Sequence, residues 1–401
     1  MNTAEHTLTE HAAAAPMLLQ VEQWASINSG TGNLAGLAQV ATLLTDAFSS
    51  LPGTLRLVDP APEDSVAPDG SKRQTQRGQH LHLCVRPHAN RRILLTGHMD
   101  TVFPADHPFQ TLREIEPGVI NGPGTADMKG GIAVMLAALQ AFETSPDASA
   151  LGYDVLINSD EETGSTSSAA LIATLAQGKL AALTYEPAAL PDGTLAGARP
   201  GSGNFSFIVT GRSAHAGRNP EDGRNALVAA AALTLELASL KGAGLSVNPA
   251  KIDGGGPNNV VPDHAVLRVN LRPATPDLEA QAKAAINRIV TSIATAHDVQ
   301  IHTHGGFGRP PKPMDAKAEA LFTLVKMCGA DLGQSIGWKA SGGVCDGNNI
   351  AACGVPVVDT MGVRGGAIHS SKEYLIVESF AERAMLSALT LHRIATGAFT
   401  A

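Results

Sequence analysis

The first 200 residues alternate short apolar runs with longer amphipathic stretches. Residues 92–97 and 154–159 are short, mainly apolar runs, which is typical of strands buried on both faces of a sheet. Residues 128–142 are rich in Ala, Leu and Met and follow a Gly-containing loop, so they predict a helix packed on that sheet. This alternation predicts an α/β domain with a mostly parallel central sheet, in which functional groups usually follow the carboxyl ends of the strands.

A different order of elements begins near Gly203. The pattern predicts strands at 204–210, 245–254, 264–272 and 299–303 and helices at 223–240 and 276–295. This βαββαβ order is that of a ferredoxin-like domain. Turn-forming segments at 199–203 and 305–311 flank it and predict hinges. We therefore predict a larger domain of residues 1–200 and 310–401, into which a ferredoxin-like lid domain of residues 201–309 is inserted.

Composition narrows the classes of partner. Of 401 residues, 44% are hydrophobic and 16% are charged, which excludes a disordered chain. The net charge of −8 argues against nucleic-acid and membrane partners, so we expect a small-molecule substrate. The N-terminal residues carry no basic export signal, and no apolar run approaches the roughly 18 residues of a membrane span. We expect a cytoplasmic protein, and we expect its four cysteines to be reduced, buried thiols because they are sparse and none has CxxC spacing.

Two polar residues follow the strand predicted at 92–97. His98 and Asp100 are two residues apart, so in an extended segment their side chains share a face. One reading makes His98 a metal ligand that Asp100 orients through a hydrogen bond. The alternative is an ordinary structural histidine at a strand end.

A Gly-rich loop at residues 121–131 places Asp127 before the helix predicted at 128–142. Its spacing fits neither G-x-x-x-x-G-K-[ST] nor G-x-G-x-x-G, which argues against a phosphate site. The plain alternative for Asp127 is that it merely caps the predicted helix.

Three consecutive acids, Asp160, Glu161 and Glu162, follow the strand predicted at 154–159. Like charges held this close are costly unless water or a cation compensates them. With a divalent cation, one Glu can bind the metal while its neighbour takes a proton from water. The alternative is a solvated acidic turn.

Two further residues complete a set. Glu186 follows a third apolar run, and His369 lies in a Gly-rich loop near the C-terminus. Together with His98, Asp127 and Glu162 they supply two imidazoles and three carboxylates from one predicted domain. This is the inventory of a two-metal site, in which each ion receives one His and one carboxylate and a third carboxylate bridges.

The ordered motifs resemble those of a known family. The motifs are GHMDTV (97–102), NGPGTADMKGG (121–131), NSDEETGS (158–165), EP (186–187), HAG (215–217) and GGAIHSSKE (365–373). Their order and spacing are similar to those of the di-zinc metallopeptidases, a family that includes bacterial glutamate carboxypeptidase, aminoacylase, acetylornithine deacetylase and succinyl-diaminopimelate desuccinylase. The resemblance is specific for the family and less specific for the substrate.

The resemblance implies roles for these residues. It implies that Asp127 bridges two zinc ions, that His98 and Glu186 complete one coordination sphere, and that Glu162 and His369 complete the other. It further implies that Asp100 orients His98, that the Asp127–Met128 peptide bond is cis, and that Glu161 is the general base. Cobalt or manganese can substitute for zinc at such a donor set.

The inserted domain resembles the lid and dimerisation module of the family. The resemblance implies a homodimer in which His215 reaches the partner's active site to stabilise the oxyanion. The alternative is that His215 hydrogen-bonds its own loop. Asn259 and Arg272 match positions that bind a substrate α-carboxylate in relatives, as suits the guanidinium fork of arginine.

The segment SGGVCDG at residues 341–347 matches a Gly-rich substrate loop in which Gly342 and Gly343 let the substrate approach the backbone. Its Val344–Cys345 pair departs from the usual threonine of that loop. Arg309 is either a second anion anchor or a solvent-facing hinge residue.

The leading prediction is a zinc-dependent amidohydrolase that releases a glutamate-like C-terminal amino acid from an N-acyl or peptidyl substrate. The alternatives are an N-acyl amino acid deacylase using the same metals and a catalytically silent binding protein with the same fold. The filled ligand positions favour an enzyme over the silent protein.

Overall fold

The computed structural model describes residues 1–400 of the chain. Its α-helices are α1 (Thr3–Ala13), α2 (Met17–Ala25), α3 (Leu34–Phe48), α4 (Gly131–Glu143), α5 (Ala169–Ala176), α6 (Ala226–Ala238), α7 (Pro276–His297), α8 (Ala316–Asp331), α9 (Asp346–Ala352) and α10 (Ser379–Ala395). Its strands are β1 (Thr54–Val58), β2 (Glu63–Val66), β3 (Lys72–Thr75), β4 (His80–Val85), β5 (Arg91–His98), β6 (Arg113–Glu116), β7 (Val119–Asn121), β8 (Leu151–Asn158), β9 (Ala181–Thr184), β10 (Leu195–Ala196), β11 (Ser202–Thr210), β12 (Leu245–Gly254), β13 (His264–Pro273), β14 (Gln300–Arg309), β15 (Trp338–Lys339), β16 (Val357–Val358), β17 (Gly365–Gly366) and β18 (Tyr374–Ile376).

Six strands form the central sheet in the order β1-β4-β8-β5-β9-β16. β5 pairs in parallel with both β8 and β9, and β9 pairs in parallel with β16. β4 is antiparallel to its neighbours. β8 and β9 are buried along their whole length, which explains why their sequences lack the polar alternation of a half-exposed strand. The mostly parallel sheet and its strands near 92–97 and 154–159 are confirmed.

Helix α4 fills the core behind this sheet. All of its residues except Gln140 and Glu143 are buried, and it packs against α1 and α10. It begins three residues later than the sequence predicts, because Thr125–Gly130 forms a π-helical turn with non-helical backbone angles at Asp127 and Met128. The helix prediction is therefore right in type and wrong at its start.

The second sheet has the order β12-β13-β11-β14, and each of its strand pairs is antiparallel. With α6 and α7 it gives the predicted βαββαβ order and the ferredoxin-like arrangement. Its apolar side chains form a core cluster of their own, centred on Phe207, Leu233 and Leu267. The chain thus has a mixed α/β fold with an inserted ferredoxin-like unit, while the domain limits at 201 and 309 stay a prediction.

Residues 305–311, predicted as the second hinge, are largely part of a strand in the structure. β14 continues through the glycines of 305–308 to Arg309, because these residues pair with β11, with Gly306 opposite Asn204. Arg309 is 4% exposed, so the interpretation of a solvent-facing hinge arginine is wrong.

A hairpin formed by β2 and β3 reaches from the larger unit to the second sheet. Backbone carbonyls of Asp64, Val66 and Pro68 accept hydrogen bonds from His304, Arg268 and His264 at 3.0–3.3 Å. We call residues 63–75 the β2–β3 hairpin. It ties the two units together at a place separate from the chain crossings.

Two expectations drawn from composition concern the whole chain. Within residues 1–400 no helix has the length and hydropathy needed to cross a membrane. All four cysteines are free thiols. Cys328 and Cys345 are buried as predicted, whereas Cys84 is half-buried and Cys353 is exposed.

Candidate metal centre

Three strand ends meet at one edge of the central sheet. β5 ends at His98, β8 ends at Asn158 just before Glu161 and Glu162, and β9 ends at Thr184 just before Glu186. Because β5 lies between β8 and β9 and runs parallel to both, the polar residues that follow these strands converge.

Asp127 reaches the same edge from the π-helical turn. The Glu373 carboxylate accepts hydrogen bonds from the backbone N–H groups of Gly124, Ala126 and Asp127 at 3.0–3.2 Å. The Asp127–Met128 peptide bond is cis, as the resemblance implies. Helix α4 is capped at Gly130, so the alternative role of Asp127 as its cap is wrong.

The five predicted ligands lie together. Nε2 of His98 is 3.1 Å from Oδ1 of Asp127 and 3.7 Å from Oε2 of Glu186. Nε2 of His369 is 3.3 Å from Oδ2 of Asp127 and 3.1 Å from Oε2 of Glu162. Asp127 therefore turns one oxygen to each imidazole, which is the arrangement that a bridging carboxylate requires.

These distances fit a metal-binding set. Ligand atoms in a tetrahedral zinc site with bonds of about 2.0–2.1 Å lie about 3.3–3.4 Å apart, which falls within the observed range. Donor atoms of His98, Asp127 and Glu162, and likewise those of His98, Glu161 and Glu186, lie within 4.8 Å of one another. Imidazole nitrogens and carboxylate oxygens suit zinc, cobalt or manganese.

The second nitrogen of His98 is held by Asp100. Nδ1 of His98 lies 3.0 Å from the backbone carbonyl of Asp100 and 3.4 Å from its carboxylate. A proton on Nδ1 leaves Nε2 free to bind a metal, which is the usual second contact of a metal-binding histidine. The Asp100 carboxylate also accepts hydrogen bonds from the N–H groups of Glu161 and Glu162, both at 3.2 Å.

The pKa values report crowded negative charge. Burial, together with the charge of Asp127, raises the pKa of Glu162 to about 7, and burial raises the pKa values of Glu161 and Glu186. Hydrogen bonds to Asp127 and Glu162 raise the pKa of His369 to about 11. Without a metal, protons on the imidazoles must balance these carboxylates, and divalent cations would do so more completely.

The three consecutive acids have different surroundings. Asp160 turns inward, where its carboxylate accepts hydrogen bonds from Ser167 and Ser168 at 2.7–3.3 Å. Glu162 points at His369, whereas Oε1 of Glu161 lies 2.6 Å from Nη2 of Arg309. The side chains of Glu161 and Glu162 are only 10% and 4% exposed, so the alternative of a solvated acidic turn is wrong.

Two cavities open on this cluster, and both are bordered by Glu161 and His369. The apolar cavity, of about 510 Å³, is lined mainly by Pro187, Ala188, Ala189, Pro191, Ala196, Val344 and Ile368. The second cavity, of about 940 Å³, has both apolar and polar walls; we call it the polar cavity after Ser202, Asn204, Asn270 and Arg272, which line it together with residues 305–308. A substrate lying across the metal centre thus meets different chemistry on its two sides.

Of the four predicted substrate-binding residues, Arg272 and Gly343 line a cavity, whereas Asn259 and Gly342 do not. Arg272 lines the polar cavity, where its Nη1 donates to the carbonyl of Gly342 at 3.1 Å. Gly343 borders both cavities. Asn259 is exposed and lines neither cavity.

His215 also lies outside both cavities of its own chain. Its ring is exposed, and its Nδ1 accepts hydrogen bonds at 3.1 Å from the N–H groups of Gly217 and Arg218. One ring nitrogen of His215, Nδ1, is therefore hydrogen-bonded within its own loop, as the alternative interpretation predicts. Because Nδ1 accepts, the ring proton lies on Nε2, which remains available as a donor.

The sequence analysis did not identify the roles of two arginines at the site. Arg199 lines the apolar cavity and forms a buried ion pair with Asp359, with atoms 2.7 Å apart. Arg309, considered only as an anchor or hinge, instead donates to Glu161 and Asp346. No local motif marks these pairs, because their partners come from distant parts of the chain.

Comparison with known proteins adds to this geometry. Residues 94–393 match the model of peptidase family M20/M25/M40. The chain is 28% identical over 390 residues to carboxypeptidase G2 of Pseudomonas sp. (strain RS-16), covering 94% of this chain and 89% of that protein. It is 27% identical over 335 residues to succinyl-diaminopimelate desuccinylase of Psychrobacter arcticus, covering 77% and 81%.

The fold is also that of solved relatives. The structure of Bacillus subtilis YXEP protein, described as a dinuclear metal binding peptidase from the M20 family, superimposes with a TM-score of 0.65 at 14% identity, covering 95% of this chain and 98% of that one. At this identity the likeness concerns the fold. With the family match over residues 94–393, it identifies the chain as a metallopeptidase-type enzyme of peptidase family M20/M25/M40.

Proposed function

We propose that this protein is a two-metal amidohydrolase that releases a glutamate-like C-terminal amino acid from an N-acyl or peptidyl substrate. The observation that carries the proposal is the position of Asp127 between two imidazoles, each of which also faces a further carboxylate. Glutamate is the first amino acid to test, because the motifs resemble those of bacterial glutamate carboxypeptidase.

His98, Asp127 and Glu186 would hold one Zn²⁺, and Asp127, Glu162 and His369 the other. When bound, the metals supply Lewis acidity at the scissile carbonyl and lower the pKa of the attacking water. The crowded carboxylates and the proton on Nδ1 of His98 support this assignment. Co²⁺ or Mn²⁺ fits the same donors.

Glu161 is the proposed general base. It borders both cavities and is not needed as one of the five ligands. Arg309 holds Oε1 of Glu161, which fixes the direction of the carboxylate. Glu161 would take a proton from the attacking water and give it to the leaving nitrogen.

Arg272 is the proposed anchor for the substrate carboxylate. Its Nη1 binds the carbonyl of Gly342 and its Nε binds Asn270, so its Nη2 hydrogens remain available at the polar cavity. Gly343 borders both cavities, where a substrate would approach its backbone, whereas Gly342 lines neither cavity and offers its carbonyl to Arg272. Asn259 stays a proposed contact of the substrate, and it lines neither cavity of its own chain.

The N-acyl amino acid deacylase is the second candidate, and the apolar cavity favours it. Arg199 also lines that cavity, but its guanidinium is turned to Asp359, which Lys312 contacts as well, and the lining is otherwise mainly apolar. A neutral acyl group therefore suits this side of the site better than a charged one.

The decisive experiment compares hydrolysis of N-acyl-glutamates, acetylornithine and dipeptides with added Zn²⁺ or Co²⁺. Preferential hydrolysis of N-acyl-glutamates or of dipeptides supports release of a C-terminal amino acid. Preferential deacylation of acetylornithine supports the N-acyl amino acid deacylase. A protein that binds no metal and cleaves no amide would be the silent binding protein instead.

Removing the metals tests the centre without a substrate. We expect dialysis against a chelator to abolish hydrolysis and to lower the free energy of unfolding by about 4 kcal/mol per site, relative to free metal at about 1,000 times Kd. Calorimetry of the chelated and the metal-restored protein measures this difference. Equal unfolding curves with and without Zn²⁺ would contradict a metal centre.

Replacing Arg272 tests the carboxylate anchor. We expect Arg272→Ala to raise KM about 10–100-fold with a smaller change in kcat, because a charged hydrogen-bonded pair is lost from substrate binding. Arg272→Lys keeps the positive charge but loses the two-pronged guanidinium, so its KM should lie between those of the parent protein and Arg272→Ala. Arg288→Ala removes an exposed charge of α7 and is the matched control. An unchanged KM in Arg272→Ala would rule the anchor out.

We further propose a cytoplasmic homodimer formed through the inserted unit. Helix α6 exposes Val228 (52%) and Leu235 (73%), and β12 is an edge strand whose own Ile252 is exposed. An apolar stripe next to a free strand edge is typical of an interface between subunits. Nε2 of His215 would then be presented to the partner's site as an oxyanion donor.

A further inference from the structure

The loop of residues 28–33, which precedes α3, lies against the back of the metal centre. Thr31 donates its Oγ1 hydrogen to Oδ2 of Asp100 at 2.7 Å, and both residues are buried. Thr31 N also donates to the carbonyl of Thr101, and Thr101 N donates to the carbonyl of Ser29. This loop lies outside residues 94–393, the part of the chain that matches the family model.

Asp100 joins the two halves of the centre. Its carboxylate lies 3.4 Å from Nδ1 of His98 and accepts the N–H groups of Glu161 and Glu162 at 3.2 Å. The Asp100 carboxylate thus holds the backbone of Glu162 by a hydrogen bond and faces the ring of His98, whose Nδ1 is hydrogen-bonded to the backbone carbonyl of Asp100 at 3.0 Å. The hydroxyl of Thr31 is the remaining donor to Asp100, and it comes from a loop that touches neither cavity.

The loop is fixed on both sides of Thr31. Ser29 accepts a hydrogen bond from Nζ of Lys129 at 2.7 Å, and Lys129 is only 2% exposed. Gly30 packs so closely that an added Cβ would lie 2.3 Å from the carbonyl oxygen of Phe103. Asn33 closes the loop by binding Asn28 at 2.9–3.0 Å. The Thr31 hydroxyl is therefore held in one place.

We infer that Thr31 is a positioning residue, which sets the direction of the Asp100 carboxylate and through it the spacing of His98 and Glu162. The inference rests on the proposed metal centre and adds to it a residue far from the motifs. Losing a direct outer-shell partner of a metal ligand costs about 10–100-fold in metal affinity, and Thr31 acts one contact further out, so we expect the lower end of that range.

The test measures metal affinity directly. Thr31→Val keeps the shape and removes the hydroxyl, and we expect it to raise the dissociation constant for Co²⁺ about 10-fold and to alter the visible spectrum of the Co²⁺ protein. Thr31→Ser keeps the hydroxyl and should stay within about threefold of the parent protein. Thr390→Val, whose buried hydroxyl binds the carbonyl of Leu386 in α10, is the matched control and should leave Co²⁺ binding unchanged.

The outcomes separate positioning from general stability. An unchanged Co²⁺ dissociation constant and spectrum in Thr31→Val would overturn the inference, and so would an equal loss in Thr390→Val. Thr31→Ala is the second variant should Thr31→Val fold poorly, with the same expected 10-fold change. If the parent protein bound no Co²⁺ at all, the proposed metal centre would fail, which is a different result from failure of Thr31.

Discussion

Replacing Glu161 by glutamine is expected to lower kcat about 10²–10⁴-fold while the metal content stays the same. Glutamine keeps an oxygen that can accept the hydrogen bond from Arg309, so the side chain should hold its place. The neutral amide of glutamine is too weak a base to take a proton from the attacking water. The loss should therefore fall on kcat rather than on KM.

The measurement pairs steady-state kinetics with elemental analysis of the purified variant. Glu22→Gln removes an exposed carboxylate of α2 and should leave both quantities unchanged. If Glu161→Gln retained kcat within about threefold, Glu161 would not be the base. If its metal content fell together with its activity, Glu161 would instead be a ligand.

The largest loss of metal is expected for Asp127→Asn. An amide offers one neutral oxygen in place of two anionic ones, so it cannot face both His98 and His369 as the carboxylate does at 3.1 and 3.3 Å. We expect the metal content to fall from two ions per chain to one or none and activity to fall on the order of 10³-fold. Elemental analysis after gel filtration gives the ratio.

Asp331→Asn is the control for this variant, because its carboxylate is partly exposed and lies on α8 away from the centre. It should retain both ions. Two ions per chain in Asp127→Asn would show that the position of Asp127 between the imidazoles does not reflect a bridging ligand. Circular dichroism of the variant checks that the fold is kept.

Much of the fold could be predicted because its strongest signals are local. The buried strand β8 and the elements of the ferredoxin-like unit follow from apolar runs and periodicity. The proposed ligands could be predicted because each follows a strand or lies in a Gly-rich loop, and parallel strands bring their ends together. Their roles remain predictions that the variants above test.

The rest depends on contacts between distant residues. Glu373 holds the loop of Asp127 across 246 residues, and Arg309 becomes buried only because Glu161 and Asp346 neutralise it. His369 adopts a positive φ of 61°, which is uncommon for a residue other than glycine and which no local pattern indicates. Thr31 reads as an ordinary loop residue until Asp100 is placed beside it.

The β2–β3 hairpin limits how the two units can move. Any widening of the cleft between the units must either break the hydrogen bonds from Arg268, His264 and His304 or carry the hairpin along with the second sheet. Relative movement of the two units is thus restrained by a short ribbon that lines neither cavity. Shortening that ribbon would release this restraint while leaving every residue of the proposed metal centre in place.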